Sequence, residues 1–133
     1  MSETHIWIVD DDSDDIELLS QAFEPLPYQL KIFGTRQAVQ LPSELERLKA
    51  EELPRLILID INMPLISGKE LLSKIRQRKE FLTIPVVMLT TSNSTAEKHE
   101  CYRIGANCFI TKPPSFTELQ NICKALAVLY LED

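Results

Sequence analysis

A chain of 133 residues, 44% hydrophobic and 26% charged, has room for one domain with a real core and is far from the composition of disorder. Its 20 acids against 14 Lys and Arg give a formal charge of −6 with no basic block, which disfavours nucleic acid or an anionic membrane as a partner. Cys101, Cys108 and Cys123 lie in apolar contexts without metal spacing or a secretory leader, so reduced thiols in a cytoplasmic protein are expected, and no apolar run approaches the roughly 20 residues needed to cross a bilayer.

In chain order, the first strand is expected in HIWIV from His5, and it runs straight into the acidic stretch DDDSDD. A helix follows on the spacing of Ile16, Leu19, Ala22 and Phe23, with Ser13 as its cap. QLKIF from Gln29 is the second strand. PSELERLKA from Pro42 is the second helix, with Pro42 in the first turn, where a missing N–H costs little. LILID from Leu56 and PVVMLT from Pro85 are the third and fourth strands, separated by a helix on Leu71, Leu72 and Ile75. Cys101 and Ile104 mark the fourth helix, which Gly105 closes in a left-handed conformation. CFIT from Cys108 is the last strand. The final helix opens at Ser115 and carries Phe116, Leu119, Ile122, Cys123, Leu126 and Leu129 as its core stripe.

Five strands alternating with helices, most of them apolar on both faces, imply an α/β fold. Its sheet is doubly wound, five-stranded and parallel, with helices on both faces through right-handed crossovers. Ligands of such sheets bind beyond the carboxyl ends of the strands. That rule selects Asp10 and Asp11 after the first strand, Asp60 after the third, Thr90 and Thr91 after the fourth, and Lys112 after the fifth. Three neighbouring carboxylates disfavour one another's ionised form, and a divalent cation relieves this. An EF-hand fails, because counting from Asp10 puts Asp15 at the turn glycine and Gln21 at the bidentate Glu. Few oxygens with open positions suit Mg²⁺, with Mn²⁺ able to substitute. Asp12, Asp14 and Asp15 are read as acids that complement the dipole of the first helix.

Four stretches carry a family resemblance: VDD from Val9, LIDINMPLISG from Leu58, VMLTTS from Val87 and ITKPP from Ile110. In order and spacing they resemble the response-regulator receiver domain of two-component signalling, over roughly His5 to Leu131. The extended DDSDD, the TTS and GANCFITKP further resemble stand-alone regulators that partner phytochrome-type histidine kinases. The resemblance implies the flavodoxin-like strand order 2-1-3-4-5. It makes Asp60 the phosphoacceptor, with Asp11 and Asp60 as direct metal ligands, Asp10 acting through a water and the backbone carbonyl of Asn62 as a further ligand. Lys112 supplies a second positive charge, Thr90 a hydroxyl and Thr91 a backbone N–H to the phosphoryl group. The Lys112–Pro113 bond is expected to be cis.

Two positions depart from the family pattern. Ser67 stands where many relatives have Asp, with little consequence expected, and Phe109 stands where relatives often have a switch Tyr. The expected function is a single receiver domain over residues 1–133 without an output domain, phosphorylated by a histidine kinase or histidine phosphotransfer protein and acting on a downstream protein. It catalyses only its own phosphorylation and dephosphorylation. A Mg²⁺-dependent aspartyl-phosphate hydrolase of the haloacid dehalogenase type would need an acid at position 62, which is Asn. A flavodoxin would need a hydroxyl-rich loop where DDDSDD stands. A receiver fold used only for binding would not keep an intact site. Apolar residues beyond the core stripe, Ala125, Val128, Tyr130 and Leu131, point with the resemblance to a homodimer through the fourth helix, fifth strand and fifth helix.

Overall fold

The computed structural model describes residues 3–132. Five strands, β1 (Thr4–Val9), β2 (Leu30–Thr35), β3 (Leu56–Ile59), β4 (Val86–Thr90) and β5 (Cys108–Thr111), form one sheet in the order β2-β1-β3-β4-β5. All four pairings are parallel, with Ile6 opposite both Ile32 and Leu56, Ile59 opposite Met88 and Thr90 opposite Thr111. The sheet order and class are those expected from the sequence.

Side chains of a strand point alternately to its two faces, and this alternation divides the core in two. Trp7, Val9, Ile57, Ile59, Val86 and Met88 face α2 (Leu41–Glu46), α3 (Gly68–Arg76) and α4 (Thr95–Ile104). Ile6, Ile8, Leu56, Leu58, Val87 and Leu89 face α1 (Ser13–Phe23) and α5 (Phe116–Tyr130). Central strands buried on both sides explain why β3 and β4 read as unbroken apolar runs.

The helix ends follow capping chemistry, with some departures from the sequence reading. Asp12, not Ser13, caps α1: its backbone is extended and its carboxylate accepts the Asp14 N–H at 2.9 Å, while Ser13 is already helical. Ser67, Ser94 and Ser115 cap α3, α4 and α5, each accepting an N–H three residues on. Ser67 therefore has a structural task in place of a charge near the site. Gly105 ends α4 at φ 131°, where a side chain would be strained.

The second helix is shorter than PSELERLKA predicts. A 3-10 turn at Ala38–Gln40 precedes it, α2 stops at Glu46, and a second 3-10 turn, Ala50–Glu52, begins after an extended Lys49 whose N–H the Glu52 carboxylate accepts at 2.8 Å. In α5 the buried set is Leu119, Cys123, Leu126 and Ala127, followed by Leu131. Phe116 and Leu129, expected in the core stripe, are exposed at 39% and 66%. Leu131, expected on the surface, folds back to 3% exposure, its N–H bonded to the Ala127 carbonyl and its side chain in the α1–α5 cluster.

Gly68 joins this scaffold to the end of β3. Its N–H donates to the Ile61 carbonyl at 2.9 Å, and a Cβ there would lie 2.3 Å from the Asp60 carbonyl oxygen and 2.8 Å from Ile61 Cα. Backbone atoms cannot swing aside. Gly68→Ala is expected to cost about 2–3 kcal/mol, read as a lower denaturation midpoint, whereas Lys69→Ala at the next position should change it little.

Candidate functional site

Backbone bonds between neighbouring strands bring the strand ends level. The Asp10 N–H donates to the Thr35 carbonyl at 3.2 Å, the Asp60 N–H to the Val9 carbonyl at 2.9 Å, and the Lys112 N–H to the Thr90 carbonyl at 2.6 Å. Residues from four strand ends therefore meet along one edge of the sheet. Among the described residues the buried polar or charged side chains are Asp10, Asp60 and Thr90, and all three stand here. A fold does not bury two carboxylates and a hydroxyl at one place for packing alone.

Asp10, Asp11 and Asp60 each offer an oxygen within 4.8 Å of the others. Asp10 Oδ1 accepts the Asp12 N–H at 3.0 Å and its Oδ2 accepts from Lys112 Nζ at 2.9 Å. Lys112 Nζ also donates to Asp15 Oδ2 at 2.8 Å and lies 3.7 Å from Asp60 Oδ2. Burial, reinforced by the charge of Asp10, pushes the Asp60 carboxyl up to about 6, against the opposing pull of Lys112 and the Asn62 N–H. Asp10 is raised as well, chiefly by burial, with the Asp12 N–H and Lys112 working against it. Burial alone would lower Lys112, but its bonds to Asp15 and Asp10 and the attraction of Asp10 and Asp60 outweigh this and hold it above the ordinary lysine range.

One lysine thus stands against a cluster of carboxylates, and the donor set consists entirely of hard oxygens. That chemistry fits a divalent cation of the Mg²⁺ or Mn²⁺ kind and not a thiolate-seeking metal.

Thr90 is fully buried, and its Oγ1 accepts from Asn62 Nδ2 and from the Ser92 N–H, both at 3.3 Å. Asn62, expected only through its carbonyl, also sends its N–H toward Asp60 Oδ1 at 3.4 Å, so its backbone and side chain bridge Asp60 to Thr90. Thr91, next in the chain, is exposed. Phe109 is buried in the cluster that faces α2, α3 and α4, and its N–H donates to Tyr102 Oη at 3.0 Å.

The Lys112–Pro113 bond is trans, contrary to expectation, since no cis peptide bond occurs among the described residues. The lysine is aimed by other means: its N–H is fixed to Thr90, and two carboxylates take its ammonium. Sequence reasoning also missed Asp15, taken for a dipole acid, and Arg36, whose Nε donates to the Asp11 carbonyl at 2.9 Å from the end of β2. No spacing rule pairs position 15 with 112 or 36 with 11.

The chain matches the family described as the response regulator receiver domain over residues 6–124. It is 31% identical over 131 residues to the probable methanogenesis regulatory protein FilR2 of Methanothrix harundinacea, covering 95% of this chain and 83% of the relative. It is 28% identical over 130 residues to the response regulator Rcp1 of Synechocystis sp., covering 96% and 88%. Among solved structures, the phosphorylated cyanobacterial phytochrome response regulator RcpA superposes with a TM-score of 0.89 at 28% identity, over 98% of this chain and 96% of that one. The Mn²⁺-bound form of Rcp1 gives 0.84 at 27% identity, over 97% and 95%.

The raised Asp60 carboxyl has a consequence for stability without metal. Its folded value of about 6 lies above the ordinary 3.8, so its contribution is fully present below about pH 4 and is lost as pH rises through 6. Asp60→Asn removes that loss. In metal-free buffer the variant is expected to be more stable than wild type at pH 7.5, by up to about 3 kcal/mol, and the two should converge near pH 4. Denaturant melts at both pH values check it.

Proposed function

The chain belongs to the response regulator receiver domain family, and from that premise we propose that Asp60 is its phosphoacceptor, charged by a histidine kinase or histidine phosphotransfer protein. The observation that carries this is the burial of Asp60 beside Asp10, Asp11, Lys112 and Thr90 at one sheet edge. In the reaction an Asp60 carboxylate oxygen attacks phosphorus, the P–N bond to the donor histidine breaks, and the imidazole leaves. An anionic nucleophile meeting an anionic phosphoryl group needs its charge neutralised and its position fixed more than it needs acid–base help.

Asp10, Asp11, Asp60 and the Asn62 carbonyl would hold Mg²⁺, with Mn²⁺ as a substitute. The bound ion would supply the positive charge that the equatorial phosphoryl oxygens require. Lys112 provides a second, fixed cation. Thr90 takes the phosphoryl oxygen through its hydroxyl in exchange for its contact with Asn62, and the Thr91 N–H adds a donor. That exchange at Thr90 is coupled to Phe109, one strand away and already buried, as the packing partner that follows. A phosphomonoester hydrolase of the haloacid dehalogenase type would place an acid at position 62, where Asn62 instead bonds Thr90.

We further propose that the phosphorylated domain signals by binding a downstream protein, and that α4, β5 and α5 form the face on which two copies pair. Tyr102, Val128 and Leu129 are exposed at 42%, 60% and 66%. Leu131 belongs to the core and not to this face.

Acetyl phosphate with Mg²⁺ is expected to add one phosphoryl group to the wild type by intact mass, and none to Asp60→Asn. Asp11→Ala should lower Mg²⁺ affinity by tenfold or more in titration while leaving the acceptor in place. A phosphorylated Asp60→Asn would remove the assignment. For the paired face, sedimentation with and without beryllofluoride should show association in wild type that Val128→Asp weakens. A wild type monomeric in both states rejects the dimer.

A further inference from the structure

We propose that Asp15 is a positioning residue for phosphoryl transfer: from the first turn of α1 its carboxylate pins the Lys112 ammonium, leaving the remaining N–H directed at Asp60. This rests on the reading of Asp60 as phosphoacceptor.

A lysine ammonium sits on a flexible four-carbon stem and has three donors. In this site two of them are engaged, by Asp15 at 2.8 Å and Asp10 at 2.9 Å, and Asp60 Oδ2 stands at 3.7 Å, just outside hydrogen-bond range. That gap is one a phosphoryl oxygen on Asp60 can close without either anchor letting go. The lysine side chain is only 15% exposed, so its position is set by these partners and not by water.

Asp10 alone cannot hold it. Asp10 is nearly fully buried, its other oxygen is committed to the Asp12 N–H, and it belongs to the set that would draw toward a metal. When that cation is bound, Asp10 has a competing attraction and Asp15 does not. Asp15 is also well supported. The Asp12 cap fixes the start of α1, and Leu19, Ala22 and Phe23 bury its inner side. The ion pair lies on the rim of a cavity of about 130 Å³ whose walls include Leu18, Leu89, Pro113 and Phe116. Apolar walls reduce screening and strengthen the pair.

The general rule that acids in a first turn complement the helix dipole explains Asp14 but not a bond that crosses 97 residues of sequence. A residue that merely stabilised α1 would alter melting and leave the transfer rate alone. A pin alters the rate, because a loosened ammonium must be ordered again in each transition state.

Two measurements on the full chain test it. In the first, the rate of phosphorylation by acetyl phosphate in saturating Mg²⁺ is followed in wild type, Asp15→Asn and Asp15→Glu, each with its melting temperature. A fall of about tenfold is expected for Asn, the loss of one charge-assisted contact, with partial recovery in Glu. An unchanged rate, with or without a lower melting temperature, overturns the proposal, and so does a faster one, which would make Asp15 a competitor for the lysine. In the second, the Lys112 ammonium resonance is observed by ¹⁵N NMR without any phosphodonor. It should be visible in wild type and lost to exchange in Asp15→Asn, and its persistence overturns the pin. If wild type fails to phosphorylate on Asp60, the phosphoacceptor reading falls while the resonance still decides whether Asp15 holds the lysine.

Discussion

The arrangement depends on keeping like charges together at the end of a buried sheet. Asp10 and Asp60 are at 2% and 7% exposure, close enough to Asp11 for all three to share one ion, and beyond its burial the charges of Asp10 and Asp11 raise the cost of ionising Asp60. Lys112 is the main answer to this within the chain, and it takes Asp10 and Asp15 before it takes Asp60. Of the two buried carboxylates, Asp60 is therefore left the less compensated. A divalent cation held by the three carboxylates would correct that imbalance.

The rest of the fold holds this imbalance in place. Parallel pairing lets the carboxyl ends of β1, β3, β4 and β5 finish at one level, and the strand-to-strand bonds beyond the strands, at Asp10, Asp60 and Lys112, extend the ladder into the site. Gly68 permits α3 to press its first turn against the Asp60 carbonyl. At the other end of the sheet Arg76 performs a comparable task. Its guanidinium donates to the carbonyls of Gly105, Phe81 and Ile84 and to Asn107 Oδ1, at 2.7–3.0 Å, tying α3 to the turns before β4 and β5. Burial lowers its proton affinity, but four acceptors in fork geometry keep the cation satisfied.

Signalling fits the distribution of packing. The central strands are closed on both faces, whereas α4 buries only Cys101 along its length and is tied to α3 by partly exposed ion pairs from Lys69 to Glu97 and Glu100 at 3.5 and 3.6 Å. Such pairs contribute little. An element seated so lightly, joined to β5 through the Tyr102–Phe109 bond, can shift at small cost.

The sequence by itself determined the strands, the sheet class and the strand-end residues, because runs rich in branched residues, too short for helices and alternating with helical spacing, mark the strands of a parallel sheet whose carboxyl ends lie together. Asp10, Asp11, Asp60, Thr90 and Lys112 were legible for that reason. What it could not determine was which groups meet across long separations. The Asp15–Lys112 pair joins residues 97 apart in the chain, and the Asn62–Thr90 bond depends on how the loop after β3 leans toward the end of β4. The trans Lys112–Pro113 bond, the inward Leu131 and the outward Leu129 were likewise settled by tertiary packing. Periodicity gives the face of a helix but not where its neighbours stop. Only the three-dimensional arrangement decides which charge stands opposite which, since Coulomb attraction depends on distance in space and not on separation along the chain.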